Sequence, residues 1–201
     1  VERCGGVGRE VVRGGYGAPI PVRHCFDSFV ATGLMLCGDA ACQCNPIDGS
    51  GVASSLRAAR IAAQVAHAAL ENDRYDISTL WQYNVAYKRT QGAKFVALDA
   101  LQKFLVAEPK INLEILFRRH IIDLDDFWGK SEMKQSTTMG MLVKLFKLID
   151  RPRFIARLMR AMTIVMELSK HYMDYPEEYD KKSFDAWREK KRELFSRIIS
   201  M

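Results

Sequence analysis

One stretch of the chain combines a carboxylate, a proline and several glycines in an order that suits ligand binding. The apolar run Leu34–Cys37 is bounded by glycines, which is typical of a short buried strand. Gly38-Asp39 follows directly, so the Asp39 carboxylate is expected at the edge of a sheet. There it would accept hydrogen bonds from sugar hydroxyls or from backbone amides.

The residues after Asp39 favour a close approach of the backbone to a flat ligand. Pro46 stiffens an extended turn, and Gly49 and Gly51 place no Cβ atom in the way. A helix beginning near Gly51 would direct unpaired N–H groups and the positive end of its dipole at that ligand. The alternative is an ordinary strand-turn-helix unit in which Asp39 only caps the backbone.

The elements that position these residues change character after Gly51. Most of the 13 glycines precede this point, whereas apolar residues beyond it recur at helical spacing. The first helix is predicted to end near Asn72, and its mostly small side chains suit close packing on a sheet. The residues predicted for this packing face are Val52, Leu56, Ala59, Ala63 and Ala66. A second long helix is predicted from about Ser78, a plausible N-cap, to about Ala107, where a Glu-Pro pair stops it.

Further helices are predicted in the rest of the chain. Asp150 and Pro152 mark the start of one of them, and Ser183 is the expected N-cap of the last, amphipathic helix. We therefore divide the chain into an α/β segment, residues 1–72, and a mainly α-helical region, residues 73–201. The fold class is mostly α overall.

Composition excludes several classes of protein. The 201 residues are 48% hydrophobic and 27% charged, which is sufficient for a buried core. No run approaches the roughly 20 apolar residues of a membrane span, and the first residues lack the pattern of a signal peptide, so we expect a cytoplasmic protein. The net charge of +6 comes without a zinc-finger or RNA-recognition signature, so no nucleic-acid partner is expected.

A local excess of basic residues lies between Lys144 and Lys170, and it overlaps a stretch rich in methionine. Residues 139–170 have two interpretations. In the first, the apolar stripe packs inside a helical bundle and the basic side chains are solvated. In the second, the stretch is a peripheral surface that meets anionic lipid.

The five cysteines are an odd number, so at least one thiol is unpaired, in a chain too long and too apolar to need disulfides. Cys42 and Cys44 could form a redox or metal pair. A second pair of ligands is missing nearby except for His24-Cys25, so structural thiols are favoured and no metal is predicted.

The segment from Gly38 to Ala63 resembles the second flavin-binding motif of the p-hydroxybenzoate-hydroxylase-like flavoproteins. That motif reads Gly-Asp-Ala-Ala, a short spacer, Asn-Pro, then a glycine-rich turn into a helix. Two upstream stretches are similar to those that geranylgeranyl reductases carry before Gly-Asp; they are Pro19-Ile20-Pro21-Val22-Arg23 and Asp27-Ser28-Phe29-Val30. The chain therefore resembles the C-terminal portion of the FAD-dependent geranylgeranyl reductase family, loosely after about Ala69.

The resemblance implies FAD as cofactor and places residues 1–72 at the edge of a Rossmann-like FAD-binding domain. By this likeness Asp39 would bind the ribityl chain and Pro46 would lie beside the isoalloxazine ring. The residues implied to contact the cofactor are Gly38, Asp39, Ala40, Pro46, Gly49, Ser50, Gly51 and Val52. The implied substrate is an isoprenoid double bond of a geranylgeranyl lipid, reduced by hydride transfer through flavin N5.

The chain also departs from the family pattern. The family commonly has Gly-Gly-Gly-Ile where this sequence has Gly49-Ser50-Gly51-Val52, so Ser50 either adds a hydroxyl near the flavin or fills a turn. The family's Gly-x-Gly-x-x-Gly unit has no counterpart, because the glycines near Cys4 lack a preceding apolar strand. We therefore expect a fragment that binds FAD weakly by itself.

The catalytic residues and the electron donor stay open. Cys42, Cys44 and Tyr16 are only loose candidates for chemistry. Two other functions compete with the reductase. One is another flavoprotein of the superfamily, such as a hydroxylase, halogenase or quinone-linked dehydrogenase; the other is a non-catalytic helical or membrane-associated binding module.

Overall fold

Helices make up most of the structure, a computed structural model that describes residues 17–121 and 148–201. A short hairpin comes first and consists of β1 (Val30–Ala31) and β2 (Leu34–Met35). Six α-helices follow in the described part of the chain: α1 (Val52–Glu71), α2 (Ile77–Tyr87), α3 (Ala93–Ala107), α4 (Lys110–Arg118), α5 (Pro152–Met173) and α6 (Lys181–Ile199). A 3₁₀ turn spans Gly38–Ala41, and a π-helical stretch, Lys88–Gly92, joins α2 to α3. The prediction of a mostly helical chain is confirmed for these residues.

The hairpin replaces the predicted buried strand. Val30 pairs with Met35 and Ala31 with Leu34 in antiparallel register, and Gly33 turns the chain with a φ of +68°. The strand prediction for Leu34–Cys37 was wrong in length and burial, since Leu34 is 51% exposed and Cys37 is also exposed. A short apolar run does not by itself reveal what covers it. The described residues contain no other strand, so a Rossmann-like edge is not confirmed.

Helix α1 has the predicted bounds but a different buried face. Its buried side chains are Ser54, Ala58 and Ala69. Val52 and Leu56, which lead the predicted packing face, are 78% and 68% exposed. The prediction of that face was therefore wrong for these residues. Small side chains occur all around the helix, so periodicity alone did not select the side that meets α2 and the 3₁₀ turn.

Two other helices begin slightly earlier than predicted because an aspartate caps them. The Asp76 carboxylate accepts a hydrogen bond from the Thr79 backbone N–H at 3.0 Å, so α2 begins at Ile77 rather than at Ser78. The Asp180 carboxylate likewise accepts from the Ser183 N–H at 2.7 Å and caps α6. Aspartate and serine are comparable N-caps, so the sequence left this choice open.

A single hydrophobic core joins the described parts of both predicted segments. Its tryptophan and tyrosine side chains come from α2, α5, α6 and the loop between the last two helices; they are Trp81, Tyr83, Tyr87, Tyr172, Tyr175 and Trp187. The Asn84 side chain reaches back to accept a hydrogen bond from the Phe29 N–H at 2.8 Å. The boundary at residue 72 stays a prediction.

None of the helices in the described ranges is long and apolar enough to cross a membrane. Residues 139–147 of the predicted lipid-facing stretch lie outside the described residues. The same holds for Tyr16 and for the glycines near Cys4.

Candidate functional site

Two consecutive turns in front of α1 carry the candidate residues. After the 3₁₀ turn, Cys42 adopts a left-handed conformation with a φ of +53°, and its N–H donates to Asp39 O at 3.0 Å. The second turn is closed by a hydrogen bond from the Asn45 N–H to Ser50 O at 2.9 Å. The structure therefore brings the predicted residues together through local turns.

Side chains fix the second turn from within. The Ile47 N–H donates to Asn45 Oδ1 at 3.0 Å. The Ser50 N–H and hydroxyl both donate to Asp48 Oδ1, at 2.8 and 2.7 Å. Ser50 thus stabilises the turn, which is one of the two roles expected for it. Pro46 is buried, and its predicted contact with an isoalloxazine ring stays a prediction.

The Asp39 carboxylate lies at the amino-terminal end of α1. A Cβ atom built on Gly51 would lie 3.0 Å from Asp39 Oδ1, and α1 has no side-chain N-cap. Asp39 is exposed, and its carboxylate makes no hydrogen bond or ion pair with any other residue in 17–121 and 148–201. An unpaired acceptor beside unpaired backbone N–H donors can bind a ligand that carries both hydroxyl and carbonyl groups.

The glycines leave less open space than the sequence indicated. Gly49 has a φ of +72°, and a Cβ atom on it would lie 3.5 and 3.6 Å from side-chain carbons of Ile20 and Val22. A Cβ atom on Gly38 would meet the Ser55 hydroxyl at 3.3 Å. Both glycines therefore allow the protein to pack against itself, and their contact with a flavin stays a prediction.

Gln43 is an important residue that the sequence did not single out. Its fully buried side chain accepts a hydrogen bond from the Gly38 N–H at 2.8 Å and donates to the Tyr83 hydroxyl at 3.0 Å. Burial raises the pKa of Tyr83 to about 12, so this hydroxyl stays protonated and donates to Leu36 O at 3.0 Å. The Ser54 hydroxyl also donates to Gln43 O. This network anchors the Asp39 turn on α1 and α2.

The cysteines of the site are buried thiols. Burial raises the pKa of Cys42 and that of Cys44, and the Cys44 thiol donates to Pro21 O at 3.0 Å. All four cysteines in the described residues are free. In residues 17–121 and 148–201 no group of three or more His, Cys, Asp or Glu side chains could hold a metal ion.

A histidine–aspartate pair is formed by residues far apart in sequence. His24 Nδ1 lies 2.6 Å from Asp99 Oδ2, and the fully buried Asp99 carboxylate also binds Lys103. Burial lowers the pKa of His24 more than Asp99 raises it. Burial alone would raise the pKa of Asp99, but the hydrogen bonds from His24 and Lys103 outweigh it. The sequence carries no signal for this pairing.

The chain is similar to several curated proteins named digeranylgeranylglycerophospholipid reductase, which confirms the resemblance to the geranylgeranyl reductase family. It is 26% identical to digeranylgeranylglycerophospholipid reductase of Sulfolobus acidocaldarius over 86% of this chain and 38% of the relative. It is 37% identical to digeranylgeranylglycerophospholipid reductase 2 of Methanococcoides burtonii over 41% of this chain and 20% of the relative. It is 28% identical to the Methanothrix thermoacetophila reductase over 68% of this chain and 32% of the relative.

The chain spans between about one fifth and two fifths of the length of these curated relatives. No family model matches it.

Proposed function

We propose that this chain forms part of an FAD-dependent reductase that saturates isoprenoid double bonds of geranylgeranyl lipids. The observation that carries the proposal is the unpaired Asp39 carboxylate at the uncapped amino-terminal end of α1. The relatives named digeranylgeranylglycerophospholipid reductase supply the substrate class. When bound, FAD would supply hydride transfer through its N5 atom.

The residues in front of α1 would bind and orient the cofactor. Asp39 would accept hydrogen bonds from ribityl hydroxyls, and the N–H groups at the start of α1 would face the polar edge of the isoalloxazine ring. Gln43 would keep the Asp39 turn in place through its hydrogen bonds to Gly38 and Tyr83. These residues supply orientation and electrostatics rather than proton transfer.

We extend the proposal to a peripheral position at the cytoplasmic face of a membrane. Met159, Met166 and Met173 recur every seven residues on α5 and are 45%, 63% and 50% exposed. Because seven residues make almost two full helical turns, the three side chains lie on one side of the helix. An exposed apolar stripe beside arginines suits contact with a lipid surface.

A titration of FAD with this chain, followed by the quenching of flavin fluorescence, tests the cofactor site. We expect weak but saturable binding that falls about tenfold in Asp39→Ala, because a charged hydrogen-bond acceptor is lost. Asp73→Asn is the matched control, since Asp73 lies beyond the opposite end of α1. Equal affinity for FAD in the wild type and in Asp39→Ala contradicts the proposed site.

The reaction itself is tested with the protein at its natural length, isolated from its own cells. The chemically reduced protein is mixed with a geranylgeranyl phospholipid, and the products are analysed by mass spectrometry. A reductase adds two hydrogens at each double bond without O2, whereas a hydroxylase adds one oxygen atom taken from O2, so the reaction is run both without air and with air. Unchanged lipid would overturn the proposed activity, and an added oxygen would favour the competing flavoprotein class.

A further inference from the structure

A basic cleft lies between α5 and the carboxyl-terminal end of α6, on elements that do not carry the Asp39 turn. Its volume is about 480 Å³. Three arginines and two hydroxyl residues contribute to its lining; they are Arg157, Arg160, Arg197, Thr163 and Ser200. We refer to it as the arginine cleft.

The arginine cleft has more positive than negative charge. Arg157 pairs with the buried Glu108 carboxylate at 3.0 Å, and Arg197 pairs with Glu167 at 2.8 Å. Arg160 is exposed and forms no ion pair or hydrogen bond with the residues described. Three guanidinium groups are therefore balanced by only two carboxylates, which leaves one positive charge in excess.

The buried polar atoms at Arg157 do not add to this charge. The Arg157 Nε atom is buried without a hydrogen-bond partner among the residues that the structure describes, and so is Oε1 of the Glu108 carboxylate with which Arg157 pairs. The group that favours an anionic ligand is therefore the guanidinium of Arg160, which is exposed and, within the described ranges, unpaired.

A second basic cleft continues from the first along α5. Its volume is about 380 Å³, it shares Arg157 with the arginine cleft, and Arg151 and Arg153 also line it. Its acidic residue, Asp150, forms an ion pair with Arg119. The positive potential therefore extends along the first half of α5 and would attract an anionic surface.

We propose that the arginine cleft binds the phosphate group of an anionic phospholipid. A guanidinium group offers a planar pair of N–H donors whose spacing matches two phosphate oxygens. An ammonium group offers no such planar pair. The exposed Met159 and Met166 side chains, on the same helix, favour an amphipathic ligand over a free ion. The choice of a lipid rests on the proposed function, whereas the phosphate chemistry rests on the cleft alone.

Co-flotation with vesicles tests the proposal. The whole chain is mixed at low salt with phosphatidylcholine vesicles that contain or lack phosphatidic acid. We expect the wild type to float only with phosphatidic acid, and the Arg160→Gln/Arg197→Gln variant to partition about thirtyfold less. Thermal melts confirm that the variants are folded, since both positions are exposed.

A charge-matched control separates the cleft from general attraction to a negative surface. Lys190→Gln/Arg192→Gln removes the same charge from exposed positions of α6 that pair with Glu193 and Glu189. We expect this control to lose much less binding than the cleft variant. An equal loss in both variants overturns the proposal, as does equal binding to neutral vesicles.

Calorimetric titration with inorganic phosphate distinguishes the lipid from a free ion. We expect soluble phosphate to bind much more weakly than phosphatidic acid vesicles, because it lacks the apolar part that would contact the methionines. Inorganic phosphate that binds as tightly as the vesicles would overturn the lipid assignment. None of these measurements requires FAD or turnover, so a failure of the flavin proposal is recognised separately.

Discussion

At the scale of single residues, Lys88 is notable because it is charged in water yet completely buried here. Its Nζ atom donates to Phe26 O, lies 3.4 Å from Cys25 Sγ and lies 4.5 Å from the centroid of the Phe29 ring. Burial lowers its pKa, although Cys25 and Asp27 oppose that shift. Lys88 therefore fastens the segment before the hairpin to the end of α2.

Lys88→Ala is expected to lower the free energy of unfolding by about 3 kcal/mol, because it leaves a cavity and removes the donor to Phe26 O. Lys88→Met retains most of the volume and is expected to cost less. Urea denaturation followed by circular dichroism measures both. The exposed Lys94→Ala is the control. Wild-type stability in Lys88→Ala would refute this role.

Two partly buried histidines predict how stability depends on pH. Burial lowers the pKa of His24 and that of His171. The unfolded chain therefore binds more protons than the folded chain below about pH 6.5. The contribution of these histidines to the free energy of unfolding is fully present above that pH. It is lost as the pH falls from there through the folded-state pKa values, by at most about 1.4 kcal/mol per pH unit for each histidine.

His24→Gln is expected to weaken this dependence, because glutamine can still donate a hydrogen bond to Asp99 but does not titrate. Thermal unfolding between about pH 7 and pH 5 measures the change. The control is His67→Gln, at an exposed position of α1. A pH profile of His24→Gln identical to that of the wild type is the outcome that contradicts the expectation.

At the scale of elements, the contact between the Asp39 turn and α1 depends on the absence of a side chain at Gly51. Gly51 has a φ of −117°, so alanine fits its backbone. A methyl group there would approach Asp39 Oδ1 and turn the exposed carboxylate away from the helix end. The unfolding free energy should therefore change little, while the position of the Asp39 carboxylate at the start of α1 changes.

We expect Gly51→Ala to bind FAD several times more weakly while its unfolding free energy stays within about 1 kcal/mol of the wild type. Gly33→Ala should instead lower the unfolding free energy and leave FAD binding unchanged. Gly33 has a φ of +68°, which strains an alanine, and an added Cβ there has no neighbour within 4 Å. Parallel flavin titrations and urea denaturation curves measure both variants. A large loss of stability in Gly51→Ala would refute the proposed geometry.

At the scale of the whole molecule, α1 shows that a helix and its buried face are decided separately. The sequence placed Val52 and Leu56 on the packed side, whereas the structure buries Ser54 and Ala58. Either face is small and apolar enough to pack, so the choice depended on the position of α2 and the Asp39 turn.

A pair of substitutions tests this face directly. Leu56→Lys is expected to change the unfolding free energy by less than about 0.5 kcal/mol, because Leu56 is exposed. Ala58→Lys is expected to cost more than about 3 kcal/mol, because it places a charge in the core. Chemical denaturation of the two variants measures the difference. A greater loss in Leu56→Lys than in Ala58→Lys would restore the face that periodicity predicted.

The sequence by itself determined the features that depend on neighbouring residues. The bounds of α1, the turn at Gly33 and the grouping of Asp39 with Gly51 all follow from local hydrogen bonds and from backbone preferences, which act over a few residues. The family resemblance was available for the same reason, because its motif is contiguous.

Only the tertiary structure decided which distant side chains meet. The Gln43–Tyr83 bond, the His24–Asp99 pair and the arginine cleft each join residues separated by about 40 or more positions. Such contacts require closure of long loops, and that closure is driven by burial of the shared core rather than by any local preference. For that reason the sequence revealed the turn that carries Asp39, while the network that holds it became visible only in the folded chain.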